Sequence, residues 1–85
     1  MIEFHNYYED QVVEEIHKQM GSQLVDTNFV ADVACVALNQ LPPRYVRFDA
    51  DMAFFLTPTE AVEMEKRVTA VVKEARAFIE KRGPR

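Results

Sequence analysis

Two arginines and a tyrosine, Arg44, Tyr45 and Arg47, fall within four residues, directly after the paired prolines Pro42 and Pro43. A guanidinium binds phosphate oxygens bidentately and reads guanine edges, and an aromatic or guanidinium plane stacks on a base. The stretch Asn39-Gln40-Leu41-Pro42-Pro43-Arg44-Tyr45-Val46-Arg47 therefore offers cations and an aromatic ring on a turn that proline makes rigid. Such a set could hold a small anionic nucleotide. The competing reading is structural. Arg44 and Arg47 would pair with Asp49, Asp51 or helix carboxylates, and Tyr45 would tuck into the core. Residue chemistry alone favours this second reading.

Other chemistry is thinner. Cys35 is the only cysteine, set in an almost wholly apolar segment, where a free thiol behaves as a small hydrophobe. The two histidines, His5 and His17, have no cysteine or third histidine at ligand spacing. His5 with Glu9, or His17 with Glu14, could touch a metal, but a hydrated surface histidine is the simpler reading. Asp49 and Asp51 form a D-x-D pair that could hold Mg²⁺, although aspartate is also a common turn residue. With two glycines there is no phosphate-binding loop and no nucleophile elbow. No catalytic residue and no metal ligand are assigned, and an enzyme is the weakest function class.

Three periodic segments must position these residues. The first runs from about Tyr7 to Met20, with Asn6 as cap and Glu9 three residues on. Tyr8, Val12, Val13, Ile16 and Met20 form its apolar arc, and Gly21 ends it. Tyr7 falls on the polar side without a packing reason. The second segment runs from about Phe29 to Leu41, with Asp26, Thr27 and Asn28 as candidate caps. Only Asp32 and Asn39 form a clearly polar strip on it, so it should be surrounded by other helices. Pro42 and Pro43 stop it. The third begins at Thr57-Pro58-Thr59-Glu60, a cap followed by proline at the first helical position, and continues to about Arg82 before Gly83 and Pro84. Between the second and third lie Tyr45 to Phe48 and Met52 to Leu56, around Asp49-Ala50-Asp51. These read either as a small β-hairpin or as extended chain leading to a short helix.

The last helix, at about 1.5 Å per residue, spans roughly 37 Å, against a radius of gyration near 12 Å for a compact chain of this size. Along it, Ala61, Met64, Val68, Val71, Ala75, Phe78 and Arg82 recur at alternating spacings of three and four. Two readings cover that seam. It could join a second copy of the chain through Met64, Val68, Val71, Ala75 and Phe78. It could equally pack on the first two helices of the same chain. The helix is long for its domain, which favours the dimer.

Composition bounds the rest. The chain has 85 residues, 48% of them hydrophobic and 28% charged, which suits one folded domain over residues 1–85. A net charge of -4 argues against binding nucleic-acid polymers, which takes many cations against phosphate. The longest apolar run, Val33 to Leu38, is far too short to cross a bilayer, and no secretion signal opens the sequence. A free thiol without an export signal suggests the cytoplasm.

The run Asp32-Val33-Ala34-Cys35-Val36-Ala37-Leu38-Asn39 leading into Leu41-Pro42-Pro43-Arg44-Tyr45-Val46 resembles the late competence development ComFB family. Asn6-Tyr7-Tyr8-Glu9-Asp10, followed by Val13-Glu14-Glu15-Ile16, carries the same likeness. The central D-V-x-x-x-A-L-N-x-L-P-P-[RK]-Y pattern is distinctive, and the resemblance covers most of the chain. It implies a small, mostly helical, homodimeric bacterial protein without enzymatic activity. Part of that family binds zinc through cysteines placed before the central helix. Here that region reads Gln23-Leu24-Val25-Asp26-Thr27-Asn28, so the zinc site does not carry over. Other members are receptors for cyclic dinucleotides, notably cyclic di-GMP, although the usual R-x-x-x-R and D-x-S-x-x-G motifs are absent here. A competence role does not follow from the family name.

Residues and resemblance together give one expectation. The fold is mostly α: a small domain of three main helices, with a short irregular or β-hairpin segment between the second and third, assembled as a helical dimer. The function is that of a non-enzymatic regulatory protein that binds a cyclic dinucleotide, without a cofactor. Arg44 and Arg47 would take phosphate or guanine edges, Tyr45 would stack, and Asn39 or Asp51 would hold the rest of the base. The alternative is a protein-interaction module without a small ligand, docking a regulatory partner through its middle segment.

Overall fold

The computed structural model describes residues 2–21 and 26–83. Residues 23–25, the start of the cysteine-free stretch before the central helix, and Pro84, expected to stop the last helix, lie outside the described residues. The elements run β1 (His5–Asn6), α1 (Tyr8–Met20), α2 (Thr27–Asn39), β2 (Tyr45–Val46), a 3₁₀ turn (Asp49–Asp51), α3 (Met52–Phe55) and α4 (Pro58–Arg82). The chain is mostly helical, with α1, α2 and α4 as its three main helices.

Each main helix starts where a side chain can satisfy its first amides. Asn6 Oδ1 accepts from the Tyr8 amide at 3.2 Å, and Glu9 Oε2 reaches back to the Asn6 amide at 2.9 Å. Of the three candidate caps for α2, Asp26 is the one used, its carboxylate accepting from the Asn28 amide at 2.9 Å. Thr57 Oγ1 accepts from the Glu60 amide at 3.1 Å, with Pro58 as the first helical residue. Gly21 and Gly83 close α1 and α4 at φ values of 66° and 78°, a region that costs a side chain and suits glycine.

The core lies where the three helices meet. Val12 and Ile16 of α1, Val33 and Ala37 of α2, and Val72 of α4 are wholly buried, with Ala75 and Ile79 of α4 nearly so. The contacts fix the directions. Gln19, near the end of α1, donates to the Thr69 carbonyl and accepts from Arg76, both on α4, at 3.0 Å each. Asp32, in the middle of α2, pairs with Arg82 at the end of α4 at 3.0 Å, and Pro42 and Pro43, just past the end of α2, share a cleft with Glu60 near the start of α4. Thus α1 runs alongside α4, and α2 returns against both. The 25-residue α4 is the longest element of a molecule measuring 40 × 34 × 24 Å, with a radius of gyration of 13.7 Å.

One feature differs from the sequence-based expectation, and one decides between two readings. Cys35 is exposed, not packed as a small hydrophobe. Among the described residues α2 packs chiefly on α1 and α4, and Ala31, Cys35 and Asn39 fall on its open side. In addition, Met52 to Leu56 forms no second strand. The 3₁₀ turn flows into α3, and β2 pairs instead with β1, antiparallel, with His5 opposite Val46 and Asn6 opposite Tyr45. Of the two readings of this middle section, extended chain leading to a short helix is the one the chain adopts.

The α4 seam is divided. Val68 and Ala75 belong to the chain's own core, 6% and 2% exposed. Met64 and Val71 are half-buried against its edge, and Phe78 is 57% exposed. Packing on α1 and α2 therefore accounts for the deepest part of the seam.

Candidate functional site

The post-proline segment is held in place by one side chain. Asn6 Oδ1, which caps α1, also accepts from the Arg44 amide at 3.1 Å. The Tyr7 amide donates to the Arg44 carbonyl in turn. Leu41 is buried in the core just before the prolines. Leu41 and Asn6 together fix both ends of the turn, and β2 leaves it in extended form.

Successive residues of an extended chain point to opposite sides, and this separates the candidate set. Arg44 lines a cleft of about 240 Å³ shared by Pro42 and Pro43 with Glu60, Glu63 and Arg67 of α4. Tyr45 points elsewhere. Its ring meets Phe4 edge-on, with centroids 5.9 Å apart at 76°. The Arg47 guanidinium lies 5.0 Å from the centre of the Phe48 ring, within cation–π range. Tyr45 is 65% exposed, not tucked into the core, and Phe4, Phe48 and Phe55 are exposed as well. Among the described residues, no carboxylate lies within 4.0 Å of the Arg44 or Arg47 guanidinium. The acid nearest in sequence, Asp49, pairs with His5 at 2.6 Å.

Asn39 and Asp51 are less engaged. The Asn39 carboxamide donates to the Cys35 carbonyl at 2.9 Å, one turn back on α2. Asp51 is half-buried in the 3₁₀ turn, where its amide donates to the Phe48 carbonyl. The structure thus sets Tyr45 against Phe4 and Arg47 over Phe48, places Arg44 in a cleft that Arg67 also lines, and joins neither Asn39 nor Asp51 to them by a hydrogen bond among the described residues. Phe4 and Arg67 were not legible as neighbours of this turn. A strand pairing over about 40 residues brings the first, and the register of α4 against the prolines brings the second.

The larger cleft, about 480 Å³ between α1 and α4, is lined by Tyr7, Glu14, Glu15, Lys18, Met64 and Glu65 among others. Three carboxylates against one ammonium make it a poor seat for an anion. Tyr7 sits at its edge. Burial pushes the Tyr7 phenol above its ordinary pKa, and the negative charge of Asp49 and the neighbouring Tyr8 push in the same direction.

Residues 5–83 match the family described as late competence development protein ComFB. The chain belongs to the ComFB family. No curated protein sequence and no solved structure shows significant similarity to it. ComFB membership points to a small regulatory protein related to late competence development. The match takes in β1, all three main helices and the Pro42–Arg47 turn. Among the described residues no ComFB helix is long and apolar enough to cross a membrane.

Proposed function

We propose that this ComFB-family chain is a non-enzymatic cytoplasmic receptor for a cyclic dinucleotide of the cyclic di-GMP type, working as a homodimer. The observation that carries the reading is the state of the post-proline segment. Arg44 and Arg47 have no carboxylate partner among the described residues, and Tyr45 between them is largely exposed. An unpaired guanidinium beside an open ring is suited to a ligand that is both anionic and aromatic. Tyr45 stacks on a base, and Arg47 takes a phosphate or a guanine edge. Arg44 contributes from the rim of the adjoining cleft, with Asn39 or Asp51 completing the base contacts. The local cations explain how a chain of net charge -4 can accept a small dianion while refusing a long polyanion. The dimer uses what the fold leaves open on α4, namely the exposed Phe78 and, about two and four turns before it, the half-buried Val71 and Met64.

Calorimetric titration of the purified chain with cyclic di-GMP tests the reading. Saturable heat in the micromolar range supports it, and a flat titration at tens of micromolar ligand rejects it. Arg47→Ala and Arg44→Ala should each weaken binding by about 1.5 to 3 kcal/mol, the cost of losing a charged hydrogen bond.

A second reading rests on the exposed aromatic rings. Phe4, Tyr45, Phe48 and Phe55 are all open to solvent. Exposed rings of this kind suit a protein-interaction module in which the middle segment docks a regulatory partner. Under that reading the nucleotide titrations stay flat, and Phe48→Ala or Phe55→Ala removes partner binding while leaving the melting temperature in place.

A further inference from the structure

We propose that His5, Asp10 and Asp49 form a binding site for a borderline first-row divalent cation of the zinc class. The three ligand atoms lie within 4.8 Å of one another, although they come from β1, the first turn of α1 and the 3₁₀ turn. The sequence suggested different partners, His5 with Glu9 and Asp49 with Asp51, and the fold breaks both pairs. The Glu9 carboxylate is turned back onto the Asn6 amide. Asp51 lies outside the cluster. What unites the true set is the β1–β2 pairing. Placing His5 opposite Val46 brings the imidazole over the start of the 3₁₀ turn, where Nε2 meets Asp49 Oδ1 at 2.6 Å. Asp10, five residues after His5, enters from the first turn of α1.

Charge and donor type argue for a cation in this place. The His5 imidazole pairs with one acid, Asp49, while Asp10, whose ligand atom lies within 4.8 Å of both, has no cationic partner of its own among the described residues. Two carboxylates and a neutral imidazole balance a divalent cation. Among the described residues no lysine or arginine lies within 4.0 Å of Asp10 or Asp49. Arg47, two residues before Asp49, lies over the Phe48 ring. One nitrogen and two oxygens suit Zn²⁺ or Mn²⁺, with water filling the remaining positions. Ca²⁺ takes six to eight oxygens and is poorly served by such a set. A bound cation would tie the N-terminal strand, α1 and the middle segment together, and so brace the turn that carries Tyr45 and Arg47. The site stands independently of any nucleotide.

The test is equilibrium dialysis of the full chain against Zn²⁺ with elemental analysis, alongside calorimetry. Expected are one zinc per chain, weaker binding of Mn²⁺ and none of Ca²⁺. His5→Ala, Asp10→Asn and Asp49→Asn should each weaken zinc binding at least about tenfold, since even second-shell losses cost that much. Asp51→Asn, His17→Ala and Cys35→Ala should leave it unchanged. Zinc should also raise the melting temperature of the parent and not of Asp10→Asn, whose side chain is exposed and whose loss leaves the core intact. Absence of bound zinc overturns the proposal. So does binding that survives His5→Ala and Asp10→Asn, or that disappears in Cys35→Ala or His17→Ala.

Discussion

Asn6 does two jobs with one oxygen, capping α1 through the Tyr8 amide and clamping the post-proline turn through the Arg44 amide. Replacing it with alanine strands both donors. Asn6→Ala should therefore cost more than an ordinary cap, at the upper end of the roughly 0.5 to 2 kcal/mol range, with denaturant melts as the check. The cap could be read from the spacing of Asn6 and Glu9. The clamp could not, because it joins residues 38 positions apart. Tyr7 shows the same limit. Its place on the polar side of the α1 wheel gave no reason for a large ring. The fold supplies one, setting it half-buried against Tyr8, at 6.0 Å between centroids, and within the field of Asp49. That environment raises the phenol's pKa in the folded state, so Tyr7 stays neutral longer there than in the unfolded chain. Below about pH 10 both states hold the proton and stability is undiminished. As pH rises from there through the folded pKa, the unfolded state loses its proton first and stability falls. Alkaline thermal melts should show this decline, and Tyr7→Phe should flatten it relative to the parent.

At the level of elements, the three main helices were legible because each carries a start signal, a stop signal and a 3.6-residue apolar period. The helix expected from the Thr57 cap and Pro58 to about Arg82 runs from Pro58 to Arg82. The short elements were not, because two-residue strands leave no periodicity and their pairing partner lies far along the chain. The depth of burial was also misjudged for α2, whose composition suggested cover on all sides. Its buried line is Val33, Ala34 and Ala37, with Leu38 only half-buried. Ile16→Ala, at a site with no exposed surface, should then cost about 2 to 5 kcal/mol. Leu38→Ala should fall at or below the bottom of that range. Chemical denaturation of the pair orders them, and equal losses would mean that the face of α2 is misjudged again.

For the whole molecule, the question is what α4 does with its length. A helix of 25 residues seemed too long for so small a domain, and a twin copy was the natural cover. The chain supplies much of that cover itself, since α4 is buried at intervals from Val68 to Ile79 and tied at its end by the Asp32–Arg82 pair. What remains for a second copy is shallower: the exposed Phe78, with the half-buried Val71 and Met64 further back along the same seam. This separates two substitutions that the sequence alone would treat alike. Val68→Asp places an unpaired carboxylate in the monomer's own core, at a cost of several kcal/mol, and should unfold the chain at any concentration. Phe78→Asp changes an exposed position and should leave the helical circular dichroism and the melting profile of the monomer intact. If the protein dimerises along α4, sedimentation of Phe78→Asp should show a folded particle of half the parent's mass. A parent that already sediments at 9.9 kDa would remove the dimer from the proposal and leave the Tyr45–Arg47 face to act within a single chain. A dimer that survives Phe78→Asp would move the interface to the exposed rings around β1 and β2, where Phe4→Ala and Phe48→Ala are the next substitutions to sediment.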